Sequence, residues 1–200
     1  MKPAKEQFDS NIARVRAIGG LSQSLTTMTT AAIDLTDLLR MELALAVSAL
    51  DQFVHELVRL GMLEVNAGKR EPTDAHLGFR IPLAAARTAL ASPADSAWLD
   101  EAIRDAHSWL AFQQPEKIAD AVRLVSDVRL WPEISAKLGR DAAAVKSELK
   151  LIVDRRNKIV HEADLDPLNP GLRWPIDRPT IDSAIAFIEQ IASTIYDVVT

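Results

Sequence analysis

The sequence predicts an all-α chain, a helical bundle built around one long central helix. Three observations carry this. Ala and Leu are abundant, whereas Gly occurs 7 times and Tyr once, a bias toward strong helix formers. Runs of β-branched residues are few, which argues against strands. Apolar residues return at helical spacing in segment after segment. The 200 residues have ordinary globular composition, 48% apolar and 26% charged, enough for one well-cored domain. Residues 1–200 are therefore read as a single domain. Residues 1–30 form its N-terminal helix and a mobile lead-in, and 164–179 form a proline-rich connection.

Each element follows from local chemistry. Residues 4–17 carry Phe8, Ile12, Val15 and, near the end, Ile18 at near-helical spacing, and Gly19-Gly20 is expected to stop the helix. Ser22 to Thr30 reads as a loop, a frayed turn or a mobile lead-in. From Ala31 to Glu64 the pattern is one helix, with Leu35, Leu38, Leu39, Leu45, Ala49, Phe53, Leu57 and Leu60 on its apolar face. It would span roughly 50 Å and end at Asn66-Ala67-Gly68. Residues 69–81 read as a polar loop. Pro82 opens a short helix to Ala91. Ser92-Pro93-Ala94-Asp95 is a break and a new start. Residues 95–112 form a helix with Trp98, Leu99, Ile103, Ala106 and Leu110 inward. Another starts at Gln113-Gln114-Pro115-Glu116, carries Ile118, Ala121, Val122, Val125 and Val128, and ends at Trp131-Pro132. A short helix over 133–138 is closed by Gly139. Asp141 caps a helix from 142 to about 161, with Val145, Leu149, Ile152, Val153, Ile159 and Val160 as its stripe. Four prolines (Pro167, Pro170, Pro175, Pro179) keep the next stretch non-helical. Thr180 then caps a last helix that buries Ile181, Ile185, Ile188, Ala192, Ile195 and Val199.

Composition excludes several functions. With no Cys, disulfides and Cys-ligated metal or iron–sulfur sites are impossible. No His pair has metal-site spacing with acidic support, so neither a metal nor another cofactor is expected. The N-terminus has no apolar signal segment, and the uncharged run Leu43 to Leu50 is too short to span a bilayer. A cytoplasmic location with no membrane partner is the expectation. The net charge of −5 argues against a general duplex-DNA binder. Any nucleic acid must be gripped at a local basic site.

One stretch concentrates polar side chains, Asp154-Arg155-Arg156-Asn157-Lys158-Ile159-Val160-His161-Glu162. On a helical wheel, Arg156 falls in the centre of the apolar stripe. A guanidinium keeps its charge, and a buried unpaired charge is costly. Arg156 therefore needs an acidic partner, a wet cleft or an intermolecular seam. His161 lies roughly 140° from Arg156 but about 40° from Asn157 if the helix continues. If the helix loosens near Glu162, the His can swing toward the Arg. These residue types suit metal-free RNA cleavage. A His can take the proton of a ribose 2′-OH or protonate the leaving 5′-oxygen. An Arg can hold the phosphate as its charge grows, and an Asn can orient the ring or phosphate. One His does not readily do both proton jobs, so a symmetric dimer would supply the second. The ordinary alternative is a His that merely sits at the negative end of its helix.

Arg156-Asn157-Lys158-Ile159-Val160-His161 resembles the Arg-polar-x3-His signature of the HEPN superfamily. With Ala46 to Leu57 of the long helix and the proline-interrupted stretch before the last helix, it looks like the prokaryotic branch called RiboL-PSP-HEPN. The resemblance implies a HEPN-like helical bundle. It implies Arg156 and His161 as the catalytic pair and Asn157 as the supporting polar residue, with Arg155 and Lys158 binding substrate. Arg155 also offers a second spacing, Arg-x5-His. A metal-independent endoribonuclease of a defence or toxin-type system is implied, leaving 2′,3′-cyclic phosphate ends. The partners would be RNA, a second copy of the chain in a homodimer, and an antitoxin or associated defence protein. The rivals are an inactive HEPN domain that binds RNA or a partner protein, and a helical scaffold.

Ser48, Asp51 and His55 lie on one side of the long helix, most simply as a polar stripe. The sharper expectation is that Asp51 or His55 supports Arg156 by pairing with it, with Glu56 and Asp34 as weaker partners. His76 and His107 are expected in a loop and on a surface helix. Trp98, Trp109 and Trp131 are expected in packing. Trp174, near Arg173 and Arg178, either packs its loop or touches RNA.

Overall fold

The computed structural model describes residues 1–30, 33–92 and 95–200. Among the described residues there are nine helices and no strand, only an isolated bridge between Leu165 and Arg173. The organising element is α2 (Thr36–Asn66). Its 31 residues bury Leu43, Ala46, Val47, Leu50, Phe53, Val54, Leu57, Val58 and Met62. That stripe is wide enough to pack against α1 (Lys2–Met28), α5 (Ala97–His107), α6 (Pro115–Val122), α8 (Ala142–His161) and α9 (Arg178–Val199). The helix ends as Gly68 enters the left-handed region at φ 67°. The Gly68 and Lys69 amides then reach back to the carbonyls of Val65 and Glu64, closing the last turn. No described helix is long and apolar enough to cross a membrane.

Several boundaries differ from the sequence expectation. Gly19 and Gly20 do not stop α1, which runs on to Met28. A Cβ at Gly19 would lie 2.8 Å from Glu42 Oε2. Glycine is present for close approach to a buried ion pair, since Arg178 grips the 1%-exposed Glu42 carboxylate at 2.6 and 2.7 Å. The following Ser and Thr residues are accommodated in the helix with their hydroxyls donating to carbonyls three or four residues back, as Thr26 does to Ser22 (2.9 Å). The long helix begins at Thr36, after the non-helical Ile33 to Leu35; Ala31, its expected start, lies outside the described residues.

The polar loop after α2 contains one helical turn, α3 (Asp74–Leu77), capped by the Thr73 hydroxyl. The short helix after Pro82 is α4 (Leu83–Ala91). Pro93 and Ala94 of the expected break also lie outside the described residues. The next helix, α5, stops at His107 rather than 112, because the Phe112 amide turns to donate to Asp51 at 2.6 Å. Trp131-Pro132 opens α7 (Leu130–Leu138) instead of ending the helix before it. Proline fits a first turn, and the buried Trp131 indole donates to the Pro115 carbonyl at 2.9 Å. Trp109, expected in packing, is 79% exposed. The cap of α9 is Asp177, not Thr180: the Asp177 carboxylate accepts the Thr180 amide at 2.8 Å. Gly139, at φ 61°, closes α7, and Asp141 caps α8 by accepting the Ala144 amide at 2.9 Å.

Candidate active site

Helix α8 buries Val145, Leu149 and Val153, one turn apart, against the core. The next places on that side fall to Arg155 and Arg156, both half-buried. They have different fates. Arg155 donates to Asp164 Oδ2 at 2.8 Å and to the carbonyls of Trp174 (3.2 Å) and Pro175 (3.1 Å). Burial lowers its pKa, the Asp164 carboxylate opposes that, and the neighbouring Arg40 adds to it. Arg156 has no carboxylate within ion-pair distance among the described residues. Its one side-chain bond is to Asn157 Oδ1 at 3.1 Å, and its Nε is enclosed without a partner.

The expected support for Arg156 is absent for a local reason. Asp51 accepts the Phe112 amide and the Gln113 side-chain amide (3.1 Å), and His55 Nε2 stands 3.7 Å from the same carboxylate. Glu56 pairs with Arg59, and Asp34 caps the Thr36 amide. Each acid is consumed within its own neighbourhood, so Arg156 reaches none of them.

Because α8 stays helical through His161, Asn157 and His161 lie one turn apart on one face. A guanidinium can only donate. Asn157 therefore turns its carbonyl to Arg156 and keeps its NH₂ available. His161 is exposed, and its imidazole has no hydrogen-bond partner among the described residues. Lys158 lies with its ammonium 5.1 Å from the Trp174 ring centroid, a cation–π contact. Trp174 is half-buried.

The end of α8 is held by a residue the sequence reading missed. The Glu162 and Asp164 amides both donate to the Lys158 carbonyl at 3.0 Å. Ala163 and Asp164 sit at φ 52° and 58°, a left-handed pair of non-glycine residues that persists only under outside constraint. The constraint is the Asp164 carboxylate, which is fully buried. It accepts Arg40 Nε at 2.7 Å as well as Arg155. Arg40 also donates to the Trp174 carbonyl at 3.0 Å, and the Trp174 amide donates to the Asp164 carbonyl at 2.9 Å. The only sequence signal was a charged Arg40, with Glu42, beside Leu39 and Leu43 at the start of an otherwise apolar helix face. Among the described residues, five enclosed side-chain polar atoms lack a partner. Three of them, Arg156 Nε, Asp164 Oδ1 and Trp174 Nε1, belong to this region. Such orphans are rare in folded chains and mark sites that a ligand or water completes.

A second polar cluster lies between α2 and α5. His107, expected on a surface, is only 6% exposed and packs edge-on against Phe79 and Phe112, with His55 6.1 Å away. Burial first, and the nearby His55 second, lower its pKa to about 4. Asp51, Glu56 and Arg59 on α2 and Arg104 on α5 are the other charged groups at this site. The unfolded chain, with its His titrating near 6.5, takes up a proton that the folded chain refuses. The resulting stability is complete above about pH 6.5 and is lost as pH falls toward about 4, by about 3 kcal/mol in all. Urea unfolding across that window should show the loss, and His107→Phe should flatten it. An unchanged pH slope in the variant would acquit His107.

Compared with known proteins, the chain matches the family described as RiboL-PSP-HEPN over residues 9–200. No curated protein and no solved structure matches it.

Proposed function

The chain belongs to the RiboL-PSP-HEPN family, and from that premise we propose that it is a metal-independent endoribonuclease acting as a homodimer. The observation that supports this most is Arg156, a half-buried guanidinium that among the described residues has no carboxylate, an orphaned Nε and a bond to Asn157, on the same helix end as the exposed His161. A half-buried arginine without a carboxylate carries a desolvation cost that an anion would offset. A phosphodiester does so.

In this reading Arg156 holds the scissile phosphate and stabilises the charge that builds on its oxygens. His161 takes the proton from the ribose 2′-OH. The 2′-oxygen bonds to phosphorus, the P–O5′ bond breaks, and the 5′-oxygen receives a proton from His161 of the partner subunit. The products are a 2′,3′-cyclic phosphate and a 5′-hydroxyl. The Asn157 NH₂ orients the phosphate or the imidazole. Lys158 adds positive charge beside the strand. Arg155, already committed to Asp164, shapes the site and leaves Arg156 as the motif arginine. Exposed Val160 (49%), Leu165 (48%), Leu168 (81%) and Leu172 (63%) surround the motif with apolar surface, which supports a seam between two copies. In this reading it works in a defence or toxin-type system in the cytoplasm, with an antitoxin or associated defence protein as a further partner.

The test uses purified protein, single-stranded RNA and EDTA. The expected result is cleavage with cyclic-phosphate ends, and a sedimenting mass twice the 22.0 kDa of the chain. RNA bound but left intact would replace this reading with a binding-only domain. Intact, unbound RNA would end it.

A further inference from the structure

We propose that the cavity between α2 and α5 is a nucleobase-binding pocket. It encloses about 340 Å³ and is walled by Ser48, Asp51, Gln52 and His55 of α2 and by Ile103 and His107 of α5. That volume lies within the range of small-ligand sites. What selects the ligand is the hydrogen-bonding capacity left over once the internal bonds are made. The charged groups at the cavity are already paired or hydrogen-bonded. Arg59 is held by Glu56 and Asp100, Arg104 lies against Asp100, and Asp51 accepts from Phe112 and Gln113. A phosphate or a carboxylate would find no unspent cation in the interior.

The unspent groups are neutral. His107 is 6% exposed, yet neither ring nitrogen has a partner among the described residues. A neutral imidazole offers one donor and one acceptor. Gln52 of the same wall has an enclosed Oε1 without a donor. Ser48 adds a hydroxyl at the mouth. Beside these groups stand Ile103 and the His55 ring, itself tilted against Phe112 with ring centroids 4.3 Å apart. A flat, uncharged, heteroaromatic ring with alternating donors and acceptors fits this set, as unstacked bases fit aromatic pockets in single-strand recognition.

The pocket also adjoins the motif helix. Gln113 bonds to Asp51 in the pocket wall, and the next residue, Gln114, donates to Asp154 at 3.3 Å, two residues before Arg156. The base comes either from the RNA strand or from a free nucleotide. The first source rests on the ribonuclease reading above; the pocket itself does not.

The probes are 5′-AMP, CMP, GMP and UMP, added to the full-length protein and followed by calorimetry. At least one is expected to bind. His107→Leu is expected to weaken it about tenfold or more. Ser48→Trp, at an exposed position that leaves the core intact, is expected to do the same by filling the cavity. His161→Ala should bind as the parent does. If a 2′-O-methyl RNA displaces the nucleotide, the base belongs to the substrate strand. If it does not, the pocket takes a free nucleotide. The proposal is overturned if none of the four binds, or if binding survives both pocket variants unchanged. RNA cleavage is read separately, so its absence would count against the ribonuclease reading and leave this one standing.

Discussion

Replacing His161 with Ala is expected to lower RNA cleavage by about 10²–10⁴-fold, the usual worth of a positioned acid or base, without changing thermal stability. The imidazole is exposed and has no hydrogen-bond partner among the described residues, so no folded contact is lost. Arg156→Leu sharpens the test, because catalysis and stability should move in opposite directions. Losing the phosphate clamp is expected to cost about 10²–10³ in rate. Removing an unpartnered guanidinium from an apolar stripe should leave stability unchanged or raise it by about 1 kcal/mol. Arg156→Lys should not restore the rate, since an ammonium lacks the planar fork that meets two phosphate oxygens. A structural arginine would behave otherwise. If Arg156→Leu unfolds the chain, or keeps full cleavage, the assignment of Arg156 is wrong.

The second large effect is expected at Asp164. Asp164→Ala removes the one carboxylate shared by Arg40 and Arg155. Arg40 is 8% exposed at its side chain and would be left with only the exposed Asp37 carboxylate, 3.8 Å away, as a counter-charge. Breaking such a pair typically costs about 3–5 kcal/mol, which in a chain of this size lowers the melting temperature by about 10 °C. The left-handed turn at Ala163 and Asp164 would lose its constraint as well, and with it the closure of the α8 C-terminus on the Lys158 carbonyl. Cleavage should then fall even at temperatures where the chain stays folded. Calorimetry decides the matter: a melting temperature within a degree of the parent would mean that the carboxylate does not hold this loop.

The two variants separate the residues that act from those that hold them, and the sequence was unequally informative about each. Helix α8 was legible from end to end because its signals are local. Asp141 caps through an amide three residues on, and the apolar side chains repeat at the helical period. The terminal helix was legible for the same reason, apart from its cap. Asp177 outcompetes Thr180 because an aspartate in front of Arg178-Pro179 both accepts the free amide and precedes a proline suited to the first turn. Gly19-Gly20 misled because glycine has two uses. Here it admits Glu42 and Arg178, which come from helices 136 residues apart in sequence. His107 misled because the aromatic cage around it is assembled from three separate segments.

The sequence by itself determined the helical identity of the chain, the course of α8, and the placement of a permanent charge in the α8 apolar stripe. Those follow from propensity, period and capping, which act over a turn or two of backbone. Only the tertiary structure decided which of two adjacent arginines is free. Arg155 is bound to Asp164 because α2 packs across α8 and brings Arg40 to the same carboxylate, 124 residues away in sequence. Arg156, one position on, points along a different side of the helix and meets no acid among the described residues. A rotation of about 100° along the helix, set against the packing of a distant element, separates the arginine that holds the loop from the one left to meet a phosphate.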